Sequence, residues 1–159
     1  MTKSVQLREK EALRKFLINR RSELGPSIDF QSNILNSIKP LLEEIENECI
    51  GTYISFRDEL DTKQLNQYLL EKELNIALPV IDFQTKEINF FMYHKNTELI
   101  ENKFSILEPK NKEKVIFPKI ILIPLLGYSK NGFRLGYGGG YYDKYLSKNS
   151  ICDVKKIGI

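Results

Sequence analysis

The sequence predicts a three-layer α/β/α fold, in which a mostly parallel or mixed β-sheet carries helices on both faces. Segments with helical periodicity alternate along the chain with short runs of β-prone residues, which is the element order typical of α/β proteins. The apolar run at 120–126 has the composition of a strand that is buried on both faces. With 159 residues the chain can bury a real core, and we expect residues 1–159 to form one domain.

Two helices are predicted at the start of the chain. In residues 3–24, apolar side chains recur at helical spacing, and Gly25 followed by Pro26 would end the helix. Residues 27–46 repeat this pattern, and Pro40 predicts a kink or a break in the second helix. Each helix therefore has one apolar stripe that could pack on a sheet.

A basic ridge lies beside the apolar stripe of the first predicted helix. Lys10 and Arg14 are one turn apart and point the same way, and Arg21 continues the ridge. Such charges more often form a solvated edge than a binding surface. The spacing alone therefore favours the solvated edge.

A strand, a polar loop and a third helix follow. Residues 49–56 are rich in β-prone side chains and predict a strand. The polar segment 57–60 would form a loop. Asp61 or Thr62 would then cap a helix that continues to about Leu74.

The second half of the chain supplies the remaining strands. Apolar and β-prone residues predict strands at 76–81 and 88–93, which a polar turn would join. Residues 95–114 are polar and predict a loop. The run at 120–126 predicts a central strand with prolines near its ends, and residues 154–159 begin a last strand.

The most informative segment is the run 134–143, which reads Arg-Leu-Gly-Tyr-Gly-Gly-Gly-Tyr-Tyr-Asp; we call residues 136–140 the glycine loop. Glycines let backbone N–H groups approach a ligand closely, and a loop that opens a helix attracts anions. One interpretation is a phosphate site, with Arg134 as an added cation and Asp143 as a metal ligand. The other interpretation is a flexible turn without a ligand. Neither the Walker pattern nor the dinucleotide-binding pattern fits the spacing.

Four tyrosines lie in and after the glycine loop. Tyr137, Tyr141 and Tyr142 could stack on a planar ring or could pack the loop, and helical spacing makes Tyr145 the most probable packing residue. The residues alone therefore predict a domain that binds a phosphate ester, and the site could also hold Mg²⁺ and a planar ring.

Glu59 stands in a second loop that follows a predicted strand. A plain turn is the commoner role for such an acid, although functional residues often lie in such loops. In α/β sheets, ligands bind beyond the carboxyl ends of the strands. We therefore expect the loop that carries Glu59 and the glycine loop to face one crevice.

Composition and charge argue against several classes of protein. The net charge of +3 is weaker than nucleic-acid-binding domains usually concentrate on one face. No apolar run reaches the length of a membrane span, and the N-terminus enters a charged helical pattern instead of a secretory leader. Cys49 and Cys152 predict reduced packing residues, and the single His94 argues against a histidine-rich metal site. We expect a cytoplasmic protein that binds neither nucleic acid nor membranes.

Several motifs occur in the order found in one enzyme family. Lys10 and Arg14 match its K-x-x-x-R motif, and residues 134–143 match R-L-G-x-G-x-G-Y-Y-D without a gap. The further matches are Tyr53, Ser55, Glu59 and Thr62 in Y-x-S-x-x-x-E-x-x-T, together with Pro79, Met92, Ile106, Glu108 and Pro109. With these motifs the chain resembles the 5-formyltetrahydrofolate cyclo-ligase (5,10-methenyltetrahydrofolate synthetase) family over nearly its whole length.

The resemblance implies an ATP- and Mg²⁺-dependent ring closure. In this family ATP phosphorylates the formyl oxygen of 5-formyltetrahydrofolate, and N10 then closes the ring as phosphate leaves. The products would be 5,10-methenyltetrahydrofolate, ADP and phosphate. The protein would act mainly by positioning and by neutralising charge during phosphoryl transfer.

The resemblance also assigns roles to individual residues. Lys10 and Arg14 would bind the phosphates of ATP, Asp143 would hold Mg²⁺, and Ile54 and Glu59 would contact the pterin. The nucleotide would be wrapped by Arg134, Leu135, Gly136, Tyr137, Gly138, Gly139, Gly140, Tyr141 and Tyr142. The folate would meet the γ-phosphate at Tyr137, Gly138, Gly139, Gly140 and Tyr141. The reacting groups would be contacted by Arg134 and Tyr141.

The chain departs from the family pattern in three places, one of which is Phe104-Ser105, where the family often has a small residue and an aromatic. The family has P-G-L-x-F-D before the glycine motif, whereas this chain has Leu125 for the glycine and Ser129 for the aspartate. The chain also stops at Ile159, inside a predicted strand, where the family continues with a second acid associated with Mg²⁺. We therefore expect a chain that is shortened at its C-terminus.

Three hypotheses remain at this point. The chain is a monomeric cyclo-ligase that acts on a small folate, which could be polyglutamated. Alternatively, it is a shortened relative that binds ATP or folate with weak or no turnover. A nucleic-acid-binding module is the least favoured, because the tyrosines cluster with glycines and do not alternate with basic residues along a strand.

Overall fold

The computed structural model describes residues 3–25, 28–43, 48–57, 59–148 and 153–159. The helices in these residues are α1 (Lys3–Leu24), α2 (Ile28–Glu43), α3 (Lys63–Glu71) and α4 (Tyr141–Leu146). The first strands are β1 (Ile50–Gly51), β2 (Ile76–Asp82), β3 (Glu87–Tyr93), β4 (Leu99–Glu101) and β5 (Leu107–Pro109). The others are β6 (Val115–Ile116), β7 (Ile120–Ile123), β8 (Gly127–Tyr128), β9 (Arg134–Leu135) and β10 (Lys155–Gly158).

Six strands form one mixed sheet in the order β10, β7, β1, β2, β3, β6. The first four strands of that order run parallel, and β3 and β6 are antiparallel to their neighbours. Ile50 of β1 lies opposite Ile76 on one side and Ile120 on the other. The predicted α/β fold with a mixed sheet is confirmed, and the last strand lies where it was predicted.

Alternate residues of β7 lie on opposite faces of the sheet. Ile120 and Leu122 join a buried cluster that α2 and α3 cover, whereas Ile121 and Ile123 join a second cluster that α4 covers through Tyr145. The other buried members of the first cluster are Ile38, Leu42, Ile50, Leu65, Leu69 and Ile76. Because helices cover both faces, a continuous apolar strand such as β7 is stable in this position.

Phe90 is the centre of the cluster on the α4 face. The side chain is fully buried, and its ring centroid lies 5.2 Å from that of Tyr145 in an edge-to-face arrangement. A Cβ atom at Gly51 would lie 2.8 Å from the Phe90 ring and 3.0 Å from Pro118, so β1 needs a glycine at this point. The prediction that Tyr145 is a packing residue is confirmed.

The first two helices have the predicted type. α1 covers the predicted range, and the described part of the second helix is Ile28–Glu43, with Pro40 inside it. Residues 26, 27 and 44–46 lie outside the described residues. None of the helices in the described ranges is both long and apolar enough to cross a bilayer.

The strand predicted at 49–56 is wrong in length, because only Ile50 and Gly51 belong to β1. The Thr52 N–H still donates to the carbonyl of Ala77 in β2 at 2.9 Å, but the backbone after it bonds to side chains at the start of α3. The Tyr53 carbonyl accepts hydrogen bonds from the Thr62 hydroxyl at 2.6 Å and from the Asn66 amide at 2.9 Å. These bonds take the segment out of the sheet and towards the start of α3.

The third helix is shorter than predicted and ends at Glu71 instead of Leu74. Glu73 has a φ of 55°, and its N–H donates to the carbonyl of Leu70 at 3.1 Å. The Leu74 N–H donates to the carbonyl of Leu69 at 3.1 Å, which completes a Schellman ending. At the other end, the Asp61 carboxylate accepts from the backbone N–H of Lys63 at 2.8 Å.

Two short hairpins were not predicted. Residues 95–114 contain β4 and β5, which pair with each other, and β8 pairs with β9 directly before the glycine loop. In the first hairpin, buried Glu108 is held by Lys112 at 2.7 Å and by the Asn102 amide at 3.1 Å. β7 also stops at Ile123, earlier than predicted, because the chain turns and the Leu126 N–H bonds to the Leu135 carbonyl in the second hairpin.

Candidate functional site

The glycine loop has a backbone shape that requires glycine at two positions. Gly138 has a φ of 105° and Gly140 a φ of 71°, values that other residues rarely adopt. At Gly139, a Cβ atom would lie 2.8 Å from the ring of Tyr141. Nothing within 4 Å would meet a Cβ atom at Gly136 or at Gly140. The loop is therefore open to solvent there, and its shape is set by its backbone.

Helix α1 lies against this loop through two arginines. The Arg14 Nε donates to the carbonyl of Gly136 at 2.9 Å, and its guanidinium lies 3.5 Å from where a Cβ atom of Gly138 would be. Arg21 donates to the Tyr137 hydroxyl at 3.0 Å and to the Leu125 carbonyl at 2.7 Å. Lys10 is exposed and makes no hydrogen bond or ion pair within the described ranges. The basic ridge is therefore part of the loop's surroundings, and the expectation of a purely solvated edge is wrong for both arginines.

Glu59 is close enough to the end of the glycine motif for its charge to act on Tyr142. Its Oε2 accepts a hydrogen bond from the backbone N–H of Phe56 at 3.0 Å. Burial raises the pKa of Glu59, and the Phe56 N–H and the charge of Arg21 oppose that rise. The Glu59 charge in turn contributes to the raised pKa of Tyr142, after burial as the main cause. The structure thus brings the loop of Glu59 and the end of the glycine motif together, as expected.

Three tyrosine hydroxyls are buried without a hydrogen-bond partner among the described residues, those of Tyr53, Tyr142 and Tyr145. Burial is the main cause that raises the pKa of all three, to about 12 for Tyr145. Tyr53 also faces the charges of Glu59 and Arg21. The Tyr142 hydroxyl is thus enclosed beside Glu59 and is not open to solvent, whereas Tyr137 is exposed.

Arg134 and Asp143 form an ion pair across the glycine motif. The Asp143 side chain is 77% exposed and that of Arg134 only 23% exposed, so the acid is the accessible partner. No cluster of three metal-binding side chains occurs among the described residues. Mg²⁺ often binds to one or two carboxylates together with substrate phosphates and water. Asp143 fits that minimal arrangement if a ligand supplies the phosphates.

A cavity of about 330 Å³ opens next to Arg134, at the carboxyl ends of β7 and β10. Its lining is largely apolar, and Arg134 and Lys156 supply two positive charges. The lining residues are Ile123, Leu125, Tyr128, Gly132, Arg134, Lys156 and Gly158. The carboxyl end of a parallel sheet is the usual place for ligands in this class of fold.

Some predicted residues have a less direct place. Ile54 is half-buried beside Tyr53, and Leu135 belongs to the short strand β9. Cys49 is a free thiol whose pKa is raised to about 11, mainly by burial, as expected for a packing residue. Cys152 lies outside the described residues. The contacts of Arg21 were not predicted from the sequence, although its position seven residues after Arg14 places both arginines on one side of the helix. Tyr53 was predicted only as part of a motif.

We expect Glu59→Gln to increase the stability of the protein at neutral pH. The folded pKa is raised above 4.5, so the native state holds its proton longer than the unfolded state as pH rises. The free energy of unfolding therefore falls as pH rises from the pKa of Glu59 in the unfolded state to its higher pKa in the folded state. A neutral glutamine at this position avoids that fall. Urea unfolding at pH 7 and at pH 4 would measure the difference, which should vanish at the lower pH. Glu98→Gln, at an exposed acid, is the control, and an equal gain there would contradict the prediction.

Comparisons with known proteins agree with these features. The 5-formyltetrahydrofolate cyclo-ligase family matches residues 6–159. A Haemophilus influenzae protein named 5-formyltetrahydrofolate cyclo-ligase is 38% identical over 111 residues, which cover 67% of this chain and 59% of that protein. A Mycoplasma pneumoniae protein of the same name is 30% identical over 165 residues, with 95% of this chain and 84% of that protein covered.

A solved structure has the same fold. The NMR structure of Aquifex aeolicus 5,10-methenyltetrahydrofolate synthetase superposes with a TM-score of 0.74 at 26% identity, over 94% of this chain and 76% of that one. The match to the Haemophilus influenzae protein spans less than two thirds of that protein's length. The family match nevertheless covers nearly all of this chain, and its residues include both arginine contacts and the whole glycine motif. The chain therefore belongs to the 5-formyltetrahydrofolate cyclo-ligase family.

Proposed function

We propose that the chain converts 5-formyltetrahydrofolate to 5,10-methenyltetrahydrofolate in a reaction that consumes ATP and needs Mg²⁺. The observation that carries the proposal is the hydrogen bond from Arg14 to the carbonyl of Gly136, between residues 122 positions apart. It brings the K-x-x-x-R motif against the glycine loop, so that two separate family motifs form one cationic surface. Glu59 lies at the same crevice and offers an acceptor for a heterocycle.

The proposed chemistry has two steps. The formyl oxygen attacks the γ-phosphorus of ATP, the bond to the bridging oxygen breaks, and ADP leaves. N10 then attacks the formyl carbon and loses its proton, and phosphate departs with the former formyl oxygen. A formyl oxygen is a poor leaving group until it is phosphorylated, which is why ATP is needed.

The cations supply the charge neutralisation. Arg14 keeps its terminal guanidinium nitrogens for a phosphate while its Nε holds Gly136, and Lys10 extends the positive surface by one turn. Arg134 precedes the glycine loop and pairs with Asp143, which follows it. In this proposal Arg134 and Tyr141 contact the reacting groups. Arginine donors are planar and suit phosphate oxygens. Phosphoryl transfer depends mainly on such positioning and charge.

Backbone N–H groups supply further donors to the phosphates. Those of Leu135, Gly136 and Gly138 to Gly140 lie in a segment whose glycines leave no side chain in the way. Tyr142 contributes its backbone, because its hydroxyl is enclosed. The nucleotide would therefore lie along the motif on the side that faces α1.

The folate would occupy the part of the crevice beside Glu59. An ionised carboxylate accepts hydrogen bonds from the N–H groups of a pterin, and half-buried Ile54 offers an apolar contact. The formyl group of the folate would then meet the γ-phosphate at residues 137–141. We propose a small-molecule folate substrate and a monomeric protein.

Asp143 is the residue that would hold Mg²⁺. The bound ion would neutralise charge on the phosphates and orient them. Asp143 is exposed, and its present partner Arg134 can turn to a phosphate instead. The donor set is therefore one carboxylate, with the phosphates and water completing it.

A second candidate is binding without turnover. It is favoured by the single carboxylate, Asp143, that the glycine motif offers to a metal ion. In that case nucleotide or folate would bind, and the phosphoryl group would not be transferred.

One experiment separates the two candidates. Purified protein is mixed with 5-formyltetrahydrofolate, ATP and Mg²⁺, and the near-ultraviolet absorbance of the methenyl product is followed. Product that needs ATP and disappears with EDTA supports the ligase. ATP binding in calorimetry without product supports the second candidate, and neither binding nor product would refute both.

Asp143→Asn is expected to raise the Mg²⁺ concentration for half-maximal turnover at least about tenfold, because the variant loses the charged ligand of a one-carboxylate site. Titration of Mg²⁺ at saturating ATP measures the effect. Glu98→Gln removes one negative charge from another exposed ion pair, with Lys110 at 2.8 Å, and serves as the matched control. An unchanged Mg²⁺ requirement in Asp143→Asn would refute the metal role.

A further inference from the structure

Arg21 joins three parts of the crevice. It lies in the last turn of α1 and donates from Nη2 to the carbonyl of Leu125 and from Nη1 to the hydroxyl of Tyr137. Leu125 follows β7, and Tyr137 is the exposed tyrosine of the glycine loop. The charge of Arg21 also reaches Glu59 and Tyr53 in the neighbouring loop.

Apart from the hydrogen bond of Arg14 to Gly136, the rest of α1 makes few contacts that would fix that geometry. Phe16 is 63% exposed and Leu24 is 67% exposed, so much of the apolar stripe is not packed against the sheet. Leu17 approaches the body, with a methyl carbon 3.1 Å from the position of a Cβ atom on Gly127. The end of the helix is therefore anchored largely by the two hydrogen bonds of Arg21.

Arg21 also acts electrostatically on Glu59. The Phe56 N–H donates to this carboxylate at 3.0 Å, and the charge of Arg21 lowers the pKa of Glu59. The charge of Glu59 in turn raises the pKa of the enclosed hydroxyls of Tyr53 and Tyr142. Of these groups only Arg21 carries a positive charge. A nearby positive charge favours the ionised form of a partly buried carboxyl, and the ionised form has no O–H donor and presents both oxygens as acceptors.

We propose that Arg21 is a positioning residue of the folate half of the site, which holds Tyr137 in place and compensates the charge of the Glu59 carboxylate. The inference rests on the proposed function, because it assumes that Glu59 receives N–H donors of a folate. Arg21 touches neither the reacting atoms nor the phosphates in this arrangement. Its effect should therefore appear in folate binding and in the ionisation of Glu59.

The chain contains a matched control for Arg21. Arg20 is the adjacent residue on α1, and its guanidinium points to Glu23 at 3.5 Å, with both side chains exposed. Arg21→Gln and Arg20→Gln remove the same group from neighbouring positions of one helix. Arg21→Lys keeps the charge and loses the planar two-point contact.

The test has a readout that does not need turnover. The pKa of Glu59 is measured by carboxyl ¹³C NMR in protein labelled at glutamate, with Glu59→Gln to assign the signal. In Arg21→Gln we expect the pKa of Glu59 to rise further above its usual range, and in Arg20→Gln and Arg21→Lys to stay near wild type. Equal titration in Arg21→Gln and wild type would overturn the charge role.

Kinetics test the positioning role. We expect the KM for 5-formyltetrahydrofolate to rise about 10- to 100-fold in Arg21→Gln, the range of one lost charged hydrogen bond, with the KM for ATP changed less than about twofold. Arg21→Lys should raise the folate KM less than Arg21→Gln does. Equal rises in both KM values would overturn the assignment to the folate half. A wild-type protein without product would refute the proposed function, while the NMR titration would still decide whether Arg21 compensates Glu59.

Discussion

Arg134→Gln will lower kcat by about 10³-fold while the KM for the folate stays within about twofold. The Arg134 side chain is only 23% exposed beside the glycine motif, and its guanidinium pairs with Asp143. An arginine that stabilises phosphoryl transfer contributes about 10³-fold or more to the rate. Steady-state kinetics at saturating ATP and Mg²⁺ would measure the loss, and Arg134→Lys should recover only part of it because lysine lacks the planar fork.

The loss in Arg134→Gln can be separated from misfolding. The Arg134–Asp143 pair has one well-exposed partner, and such pairs contribute only about 0–1 kcal/mol to stability. The melting temperature of Arg134→Gln should therefore stay within a few degrees of wild type. Arg20→Gln, which removes an exposed guanidinium from α1, should leave kcat unchanged. A kcat within tenfold of wild type in Arg134→Gln would show that Arg134 does not act on the reacting groups.

Phe90→Ala will cost about 3–5 kcal/mol of unfolding free energy. The ring is fully buried, stacks edge to face with Tyr145, and fills the space above Gly51. Its removal leaves a cavity where β1, β3 and α4 meet, and the surrounding strands can close it only in part. Urea denaturation followed by far-ultraviolet circular dichroism would measure the change. Equal m values for Phe90→Ala and wild type would confirm that unfolding exposes the same surface in both proteins.

Phe117→Ala is the matched control for Phe90→Ala. It removes the same ring from a side chain that is 60% exposed, and the expected change is within about 0.5 kcal/mol. A loss below 1 kcal/mol in Phe90→Ala would mean that the sheet can collapse onto the vacant space.

The parts of the fold that the sequence predicted well are those with a strong local signal. The run Ile120–Ile123 is apolar at every position, and its two-sided burial between the α2–α3 cluster and the α4 cluster explains why. The long periodicity of α1 predicted its bounds. Where tertiary contacts compete with propensity, prediction failed. Residues 52–56 have strand-forming side chains, but Thr62 and Asn66 capture the backbone of Tyr53.

The short hairpins were missed for a different reason. β4 and β5 have three residues each and β8 and β9 have two, which is too short for alternation to be recognised. Their stability comes from pairing and from buried polar contacts such as that of Glu108 with Lys112. No local pattern encodes such contacts.

The candidate site also combines features that a local sequence pattern predicts with contacts that only the folded chain reveals. Glycine spacing alone predicts an anion site at residues 136–140, and the structure adds the backbone shape that requires glycine at Gly138 and Gly140. Motif order linked Lys10, Arg14 and Glu59 to that loop, which spacing alone did not do. The contacts of Arg21 with Leu125 and Tyr137 join residues more than a hundred positions apart, and only the folded chain reveals them.

Helix α1 packs few of its apolar side chains against the rest of the protein, and this lowers its local stability. Its local unfolding should require far less free energy than opening of the sheet, because few of its apolar side chains would newly meet water. A phosphate that binds Arg14 would add to the attachment of the helix, so ligand binding and docking of α1 reinforce one another. Slower amide hydrogen exchange along α1 would then accompany nucleotide binding, while exchange in β7 and β2 would hardly change.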